Sequence, residues 1–433
     1  MDGRDLIQPR VGFTYDYSNN IRFQGGFGLY SGGNPNVWLS NNYSNNGVTL
    51  FEYRVRNGNI NSFTYPNSGR PFYEVPQQGI DAVAAAAGRG PVNALDPDFE
   101  IPSEWKVALG TVIDLDSERF GEWRVQGDIL WSKTNESAVV IPLGFTQTGT
   151  APDGRPIYGG NTNDFLLTNA DEKGESLILS AAVIKDYGND IDWSLAYAYT
   201  DAKDTNPMTS SVAFSNFANY TTSDPVNIPT ATSDYEIAHR FTFRLNVEKE
   251  FVQDYATRFS LFGSRNSGAP YSYTFARNSI FENPFSSSRQ LAYIPNGASD
   301  ALISPLSNAA AVTALVNYID SNDTLSDMKG SISNRNEAND RWWTKFDLRV
   351  SQDLPGLRAG DRTQAFLVVE NLGNLLNDDW GLLREHGFPG SAELYTISGI
   401  DAQGRYIISG FNPNVDSDSV LVNPSLWSIR VGV

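Results

Sequence analysis

Apolar and polar residues alternate along short segments of this chain, and turns and loops of very uneven length connect those segments. In 344–351 the apolar series is Thr344, Phe346, Leu348 and Val350, and the polar series is Lys345, Asp347, Arg349 and Ser351. Successive side chains of a strand point to opposite faces, so the alternation predicts a strand with one apolar and one charged face. The turn sequence 353–356 and a second predicted strand, 364–372, complete a hairpin.

The same unit recurs along the chain. The predicted hairpins lie at 11–29, 105–131, 177–199, 241–273, 344–372 and 394–411, and a last strand lies at 425–433. This makes about thirteen strands, many of them near the ~9–11 residues that cross a bilayer at a tilt. Aromatic residues crowd the apolar series and the strand ends, as in the interface girdles of membrane barrels.

Short turns alternate with long polar connections at 31–101, 132–174, 201–236 and 276–340. Short helices are predicted at 81–87 and 309–319 within two of them. Loops of this length are uncommon in compact soluble domains, and short turns on one side with long loops on the other are typical of outer-membrane barrels. The predicted fold is therefore an all-β, antiparallel transmembrane β-barrel with long extracellular loops.

The amino-acid composition argues against several classes of function. The formal net charge is -18, which argues against nucleic acid as a partner. There is no Cys, which removes thiolate chemistry, and the two His residues leave little room for catalysis or metal binding based on imidazole. No assembled nucleophile, cofactor motif or metal-ligand spacing is found, so the chain is predicted not to be an enzyme and to need no cofactor or metal. The acids Asp201, Asp204, Asp416 and Asp418 lack EF-hand spacing and are interpreted as solvated loop acids.

The alternative fold is a secreted soluble β-protein, such as a sandwich, propeller or solenoid, whose strands also alternate. The sequence has no fixed repeat period, which argues against a propeller or solenoid. No apolar run reaches the ~18 residues of a spanning helix. The segment 1–10 lacks the apolar region of a signal peptide.

Five segments together resemble the C-terminal barrel portion of TonB-dependent outer-membrane receptors, and within these the Oar-like subgroup with a carboxypeptidase-regulatory-like domain. They are QPRVGF at 8–13, GFGLYS at 26–31, IPSEWK at 101–106, the stretch 343–352 and the stretch 366–380. The segment NLGNLLN at 371–377 is similar to a corner near the end of these receptors. The resemblance covers essentially the whole chain.

The resemblance implies a 22-stranded barrel, of which residues 1–433 are expected to form the C-terminal portion. The signal peptide, the TonB box and the plug domain of the family pattern are not recognised in this sequence. The resemblance also implies a location in the outer membrane of a Gram-negative cell and TonB-energised uptake of an unidentified extracellular solute. The implied partners are outer-membrane lipid and the TonB complex, the latter through the missing N-terminal plug.

Two sets of site residues follow. The first set is predicted to face the lumen and, in the intact receptor, to contact the plug: Arg22, Arg124, Arg240, Arg244, Asp347 and Arg349. The second set consists of aromatic residues in extracellular loops that are candidates for ligand contact: Trp38, Tyr43 and Tyr220. The alternative function is a surface adhesion or structural role, in which the long loops bind a partner and nothing is transported.

Overall fold

The computed structural model describes residues 5–32, 35–48, 60–71, 73–86, 90–117, 121–188, 190–252, 254–277, 289–358 and 360–433. The strands, in chain order, are β1 (Arg10–Ser18), β2 (Ile21–Ser31), β3 (Asn93–Leu95), β4 (Ser103–Ser117), β5 (Gly121–Glu136), β6 (Ala138–Thr150), β7 (Pro156–Asn169), β8 (Glu175–Asp186), β9 (Ile191–Asp204), β10 (Ala231–Thr232), β11 (His239–Val252), β12 (Tyr255–Asn266), β13 (Pro270–Phe275), β14 (Tyr293–Ile294), β15 (Ser331–Ile332), β16 (Ala338–Asn339), β17 (Trp343–Pro355), β18 (Arg362–Glu370), β19 (Arg384–Glu385), β20 (Ser391–Ile400), β21 (Tyr406–Phe411), β22 (Ser419–Val420) and β23 (Ser428–Gly432).

The helices are short. They are α1 (Asn36–Ser44), α2 (Gln77–Ala86), α3 (Ala213–Ala218), α4 (Ala309–Ser321), α5 (Asp323–Asp327), α6 (Leu372–Leu376) and α7 (Val422–Ser425), with a 3₁₀ turn at Ile60–Ser62. The predicted helix at 309–319 is α4, and the one at 81–87 lies within α2 except for residue 87, which is outside the described residues. Asn308 caps α4, its side chain accepting from the N–H groups of Ala310 and Ala311.

One antiparallel sheet dominates the fold. It contains twelve of the described strands, eleven of them in the order β1-β2-β4-β5-β8-β9-β11-β12-β17-β18-β23, with β10 added beside β9. We call this the large sheet. Five of the predicted hairpins and the last strand belong to it. Sequence neighbours pair because alternation and short turns specify antiparallel register locally.

All the short connections leave the large sheet at one end, which we call the turn end. Asp190 and Asp254 lie there with φ of 67°, a left-handed conformation that Asp adopts more readily than most residues. Residues 118–120, 189 and 253, which belong to three of the predicted turns, lie outside the described residues. The five long connections leave the opposite end, which we call the loop end.

The described residues of these five connections fold into further sheets and helices, which we call the cap. A four-stranded sheet runs β16-β13-β20-β21, a three-stranded sheet runs β3-β7-β6, and two pairs are β14-β15 and β19-β22. Strands β13 and β20 pair in parallel, whereas β20 and β21 form an antiparallel hairpin. The predicted long loops are therefore largely folded over the described ranges.

About thirteen strands were predicted, and the large sheet contains twelve of the described strands; the predicted hairpin at 394–411 is present, but its assignment to this sheet is wrong. Leu394, Tyr395 and Ile397 of β20 are all buried, as are Tyr406 and Ile408 of β21. Because residues on both faces of this hairpin are buried, it packs inside the cap. The segment 271–273, predicted to continue the fourth hairpin, is likewise part of the separate strand β13. The hairpin β6-β7 was not predicted.

The ends of the strand order are β1 and β23, and the described pairings do not join them. The structure therefore bears out a mostly β chain built on a large antiparallel sheet. Closure of that sheet into a barrel stays a prediction.

Candidate functional site

The large sheet has one face that is apolar from its first strand to its last. We call this the apolar face. On it, the side chains of residues paired across neighbouring strands form two rows. One row is Ile21, Ile113, Val125, Val183, Leu195, Phe243, Gly263 and Phe346. The other is Trp193, Leu245, Leu261, Leu348, Val369 and Ile429.

The apolar face is exposed, and the buried core lies elsewhere. Leu109 is 47% exposed, Leu195 49% and Ile429 47%. Within the described part of the chain, the three clusters of buried apolar side chains contain residues of the cap and none from the eleven consecutive strands of the large sheet. A contiguous apolar surface of this extent marks an interaction surface and not a water-facing wall.

Aromatic rings gather at both ends of the apolar face. At the turn end the rings of Trp123 and Trp193 meet edge to face at 5.6 Å. The ammonium of Lys185 lies 5.2 Å from the Trp123 ring and donates to the Glu122 carbonyl at 2.7 Å. At the loop end Phe27 and Trp105 stack at 5.0 Å. Both ends thus carry amphipathic rings that suit a boundary between an apolar and a polar medium.

The opposite face of the large sheet, the polar face, carries all six residues predicted to face the lumen. Near the turn end three of them form cross-strand ion pairs: Arg22 with Asp16 at 2.6 Å, Arg124 with Asp114 at 2.7 Å, and Arg244 with Asp192 at 3.0 Å. A fourth cation, Arg258, joins Glu248 at 2.7 Å and Asp353 at 2.8 Å, and the sequence did not single it out. These pairs make a charged band along the turn end.

The other three predicted residues, Arg240, Asp347 and Arg349, lie apart from this band. Asp347 pairs with Lys345 at 3.4 Å and accepts from the N–H of Asn371 at 2.8 Å. The Arg349 guanidinium lies 5.2 Å from the Phe366 ring. Arg240 is exposed at the start of β11. The six predicted residues thus share the polar face of the large sheet but do not form a single site.

Beyond the charged band, the polar face of the first strands carries mostly uncharged residues and one acid, Asp128. An open groove of about 610 Å³ lies there, bordered on the polar face by Gly12, Thr14, Gln24, Ala108, Gly110 and Asp128. A Cβ on Gly110 would lie 2.5 Å from the Asp128 carboxylate. Because Gly110 has no side chain, the Asp128 carboxylate can lie close to the backbone of β4.

The cap has its own core, built around α4, α5 and the sheet that contains β13 and β20. Leu315, Ile319 and Leu325 are fully buried in it. The hairpin β6-β7 reaches into this core through Arg155, which pairs with Asp153 at 2.6 Å and donates to the Leu291 carbonyl at 2.6 Å. Both side chains of the pair are at least 98% buried. Arg155 thus ties the β6-β7 hairpin to this core.

His386 has three side-chain contacts within the described part of the cap. Its Nδ1 is 2.7 Å from the Asp340 carboxylate, its Nε2 is 3.2 Å from the Val415 carbonyl, and its ring stacks on Tyr271 at 3.9 Å. Burial opposes protonation, but the hydrogen bonds and the charge of Asp340 outweigh it and raise the pKa of His386 above its usual value of 6.5. Only the imidazolium donates from both nitrogens at once.

The three loop aromatics predicted to contact a ligand have different surroundings. Tyr43 is exposed. Trp38 is half-buried and donates from Nε1 to the Ser210 carbonyl at 3.1 Å. Tyr220 is 1% exposed and lies 5.6 Å from the Arg289 guanidinium, so its ring is not open to a ligand in this structure. Burial lowers the pKa of Arg289 to about 9.

The acids interpreted as solvated are partly paired. Asp204 binds Arg335 at 2.6 Å, and Asp418 lies between Arg341 at 3.2 Å and Arg384 at 3.1 Å. Across the described ranges, no three acidic or imidazole side chains come together in a way that could hold a metal ion. No helix in the described part of the chain is long and apolar enough to cross a membrane.

The cap also contains an open cleft of about 470 Å³, which we call the cap cleft. Thr222, Leu291 and Ser333 lie in its buried floor, whereas Lys203 and Glu337 are exposed at its rim. Thr222 donates to the Asp224 carbonyl and Ser333 to the Tyr273 carbonyl, so these floor hydroxyls are already engaged. The buried lining also includes Arg335, which pairs with Asp204, and the rim carries both charges.

Comparison with known proteins gives a structural similarity but no match in sequence. No protein-family model matches the chain. No curated protein matches it in sequence. Among solved structures it is similar to the outer membrane transporter YddB from Escherichia coli, with a TM-score of 0.45 and 9% identity over 98% of this chain and 40% of that chain. The chain thus spans less than half the length of that transporter.

Proposed function

We propose that the chain forms the wall and outer cap of an outer-membrane receptor that takes up an extracellular solute, with energy from a TonB-type partner. The observation that carries this proposal is the apolar face, which is continuous over eleven strands and exposed while the cap has buried cores of its own. In this proposal the apolar face contacts lipid and the polar face lines a wet lumen.

Physical chemistry supports this arrangement. A sheet in lipid must satisfy its backbone groups through strand pairing, and the interior strands of the large sheet are paired on both sides. Strands such as β8, with 12 residues, and β11, with 14, are long enough to cross a hydrocarbon layer at a tilt. The aromatic rings at both ends of the apolar face lie where the two membrane interfaces would be.

In the proposed orientation the turn end faces the periplasm and the cap faces the outside. The Arg and Asp residues on the polar face would contact a plug, because their exposed ion pairs leave donors and acceptors accessible. The solute would meet the cap, where Tyr43 and the cap cleft are exposed. The proposal assigns no enzymatic reaction to the chain.

A matched pair of substitutions tests the membrane orientation. Leu195 and Ala196 are neighbours on β9, the first on the apolar face between Val183 and Phe243, the second on the polar face between Ala182 and Thr242. Leu195→Arg is expected to reduce stability in lipid vesicles by about 1–3 kcal/mol, because Leu195 lies one step inward from Trp193 and the cost of Arg on a lipid face rises from ~0–1 kcal/mol near an interface to ~2–4 kcal/mol at the midplane. Ala196→Arg is expected to insert and fold like the wild type.

Reversible urea titration of refolded protein in vesicles measures both changes. Equal effects of the two substitutions would contradict a lipid-facing apolar face. If neither variant nor the wild type enters vesicles, and all remain folded in water, the membrane assignment itself is wrong.

A role in surface adhesion without transport is the second candidate, and the packed core of the cap favours it because a rigid surface suits partner binding. Solute consumption separates the two functions. Cells that express the native protein are compared with cells lacking it, each with the energy-coupling complex intact or deleted. A solute whose depletion requires both components supports uptake; binding to the cap without any depletion supports adhesion.

A further inference from the structure

Arg265 is a cation on the apolar face, at the loop end of β12. Its register partners are Phe241 on β11 and Thr344 on β17, so it continues the outward series of Phe259, Leu261 and Gly263. Its side chain is exposed. A charged residue on this face needs a specific partner, because lipid chains cannot solvate it.

The ring of Trp342 lies beside Arg265, and further aromatic rings pack against Trp342. The guanidinium lies 5.3 Å from the Trp342 ring, and His239 stacks on the same ring at 5.8 Å with an interplanar angle of 9°. Phe241 lies 4.7 Å from Tyr197, whose hydroxyl is 2.9 Å from Nδ1 of His239. We call Tyr197, His239, Phe241 and Trp342 the aromatic cradle. Within it, Trp342 contacts the guanidinium through its ring, and a ring contact leaves the N–H groups of the guanidinium able to donate.

Within the described residues, no carboxylate pairs with Arg265. Two other cations of the apolar face are satisfied by the protein: Lys133 binds Glu175 at 3.3 Å, and Lys185 binds the Glu122 carbonyl at 2.7 Å. The chain has 50 acidic and 32 basic residues, so acids are plentiful, and yet none of those described pairs with Arg265. The missing anion is therefore expected to come from outside the chain.

We propose that Arg265 and the aromatic cradle bind the phosphate of a lipid headgroup whose acyl chains lie on the apolar face. The inference rests on the proposed function, since it needs the loop end at a membrane interface. A guanidinium binds phosphate through two parallel hydrogen bonds, and the rings suit the headgroup level. A lipid is favoured over free phosphate because the apolar face continues from the cradle through Phe243 and Leu261 and can bury acyl chains.

Native mass spectrometry of the purified full chain tests the inference. The protein is kept in neutral detergent micelles containing dimyristoyl phosphatidylglycerol or, as the phosphate-free control, dimyristoylglycerol. Three variants are compared with the wild type: Arg265→Gln, Arg265→Lys and Lys345→Gln. Lys345 lies on β17 beside Thr344 but on the polar face, opposite Ser264, so its substitution removes a cation at the same level.

The wild type and Lys345→Gln are expected to retain phosphatidylglycerol and not dimyristoylglycerol. Arg265→Gln should retain it about tenfold less tightly, the effect of losing one charge-assisted contact. Arg265→Lys should fall between the two, because an ammonium keeps the charge but loses the bidentate geometry. Equal retention by Arg265→Gln and the wild type would overturn the inference.

Millimolar inorganic phosphate added to the same micelles separates the two phosphate sources. Undisturbed lipid retention supports the lipid site, whereas loss of the lipid would show that the site takes free phosphate and would overturn the lipid assignment. Failure of the inference is distinguishable from failure of the proposed function. If Leu195→Arg loses stability in vesicles and Ala196→Arg does not, the membrane orientation stands whatever Arg265 binds.

Discussion

Nδ1 of His386 lies 2.7 Å from Oδ1 of Asp340, and this pair connects the segment after β19 to the end of β16 inside the cap. The raised pKa of His386 makes the pair pH-dependent. A group whose folded-state pKa is raised contributes stability that is complete below its unfolded value, near 6.5, and is lost as the pH rises through the folded value.

The cap around 384–390 is therefore expected to open more readily at pH 8.5 than at pH 6. Hydrogen exchange of these amides, corrected for the intrinsic rate, measures the opening free energy at each pH. His386→Asn should abolish the dependence, whereas His239→Asn, which changes the other histidine of the chain, should preserve it. A slope that survives in His386→Asn would assign the effect to Glu385, whose pKa is raised by burial and by the charge of Asp340.

The buried pair of Asp153 and Arg155 should be the costliest ion pair of the cap to break. Asp153→Asn leaves the Arg155 charge buried, and a loss of about 3–5 kcal/mol of stability is expected. The double variant Asp153→Asn with Arg155→Met removes that charge and should recover part of the loss. Urea titration followed by hydrogen exchange of β6 and β7 measures both.

Asp320→Asn is the matched control, because Asp320 pairs with Lys329 at the surface of the cap. It should change stability by about 1 kcal/mol or less. A similar loss in Asp320→Asn and Asp153→Asn would show that burial does not decide the strength of these pairs.

Asn371 joins three parts of the loop end. It is fully buried in a left-handed conformation with φ of 52°, and its Nδ2 donates to the carbonyls of Gly381 at 3.0 Å and Ser425 at 2.7 Å. Asn371→Asp replaces both donations by repulsion between oxygens, with an expected cost of several kcal/mol at about 1–3 kcal/mol for each unsatisfied group. The fraction of refolded protein that keeps a heat-modifiable band measures the loss.

Asn377→Asp provides the comparison within the same segment. The Asn377 side chain is exposed and accepts from the N–H of Asp379 at 2.8 Å, which a carboxylate can also do. It should refold like the wild type. Equal loss in both variants would indicate sensitivity to added charge and not to the two donations of Asn371.

The ion pair of Arg244 and Asp192 should contribute little to stability, although its geometry is good. The side chains are 59% and 34% exposed, so solvent screens their attraction. Arg244→Gln is expected to change the free energy of unfolding by about 1 kcal/mol or less. Urea titration in vesicles checks this, and a loss above about 2 kcal/mol would show that the polar face is drier than its exposure indicates.

Much of the large sheet was predictable because its signal is local. In β17, alternation from Thr344 to Ser351 assigned each side chain to a face, and register with the neighbouring strands preserved that assignment. All six residues predicted to face the lumen therefore lie on one face. Their partners were not predictable, since Arg22 meets Asp16 and Arg244 meets Asp192 only through cross-strand register.

The sequence by itself determined the eleven consecutive strands of the large sheet, their two faces and the turn and loop ends, because a period of two and short turns act between residues close in the chain. Only the tertiary structure decided that β20 and β21 belong to the cap, that Tyr220 is buried, and that Arg265 lies against Trp342. A strand such as β20, which is buried on both faces, has no apolar–polar alternation from which its sheet could be predicted. Contacts between residues far apart in the chain depend on how the long connections pack. Burial there is a property of the assembled cap and not of any one segment.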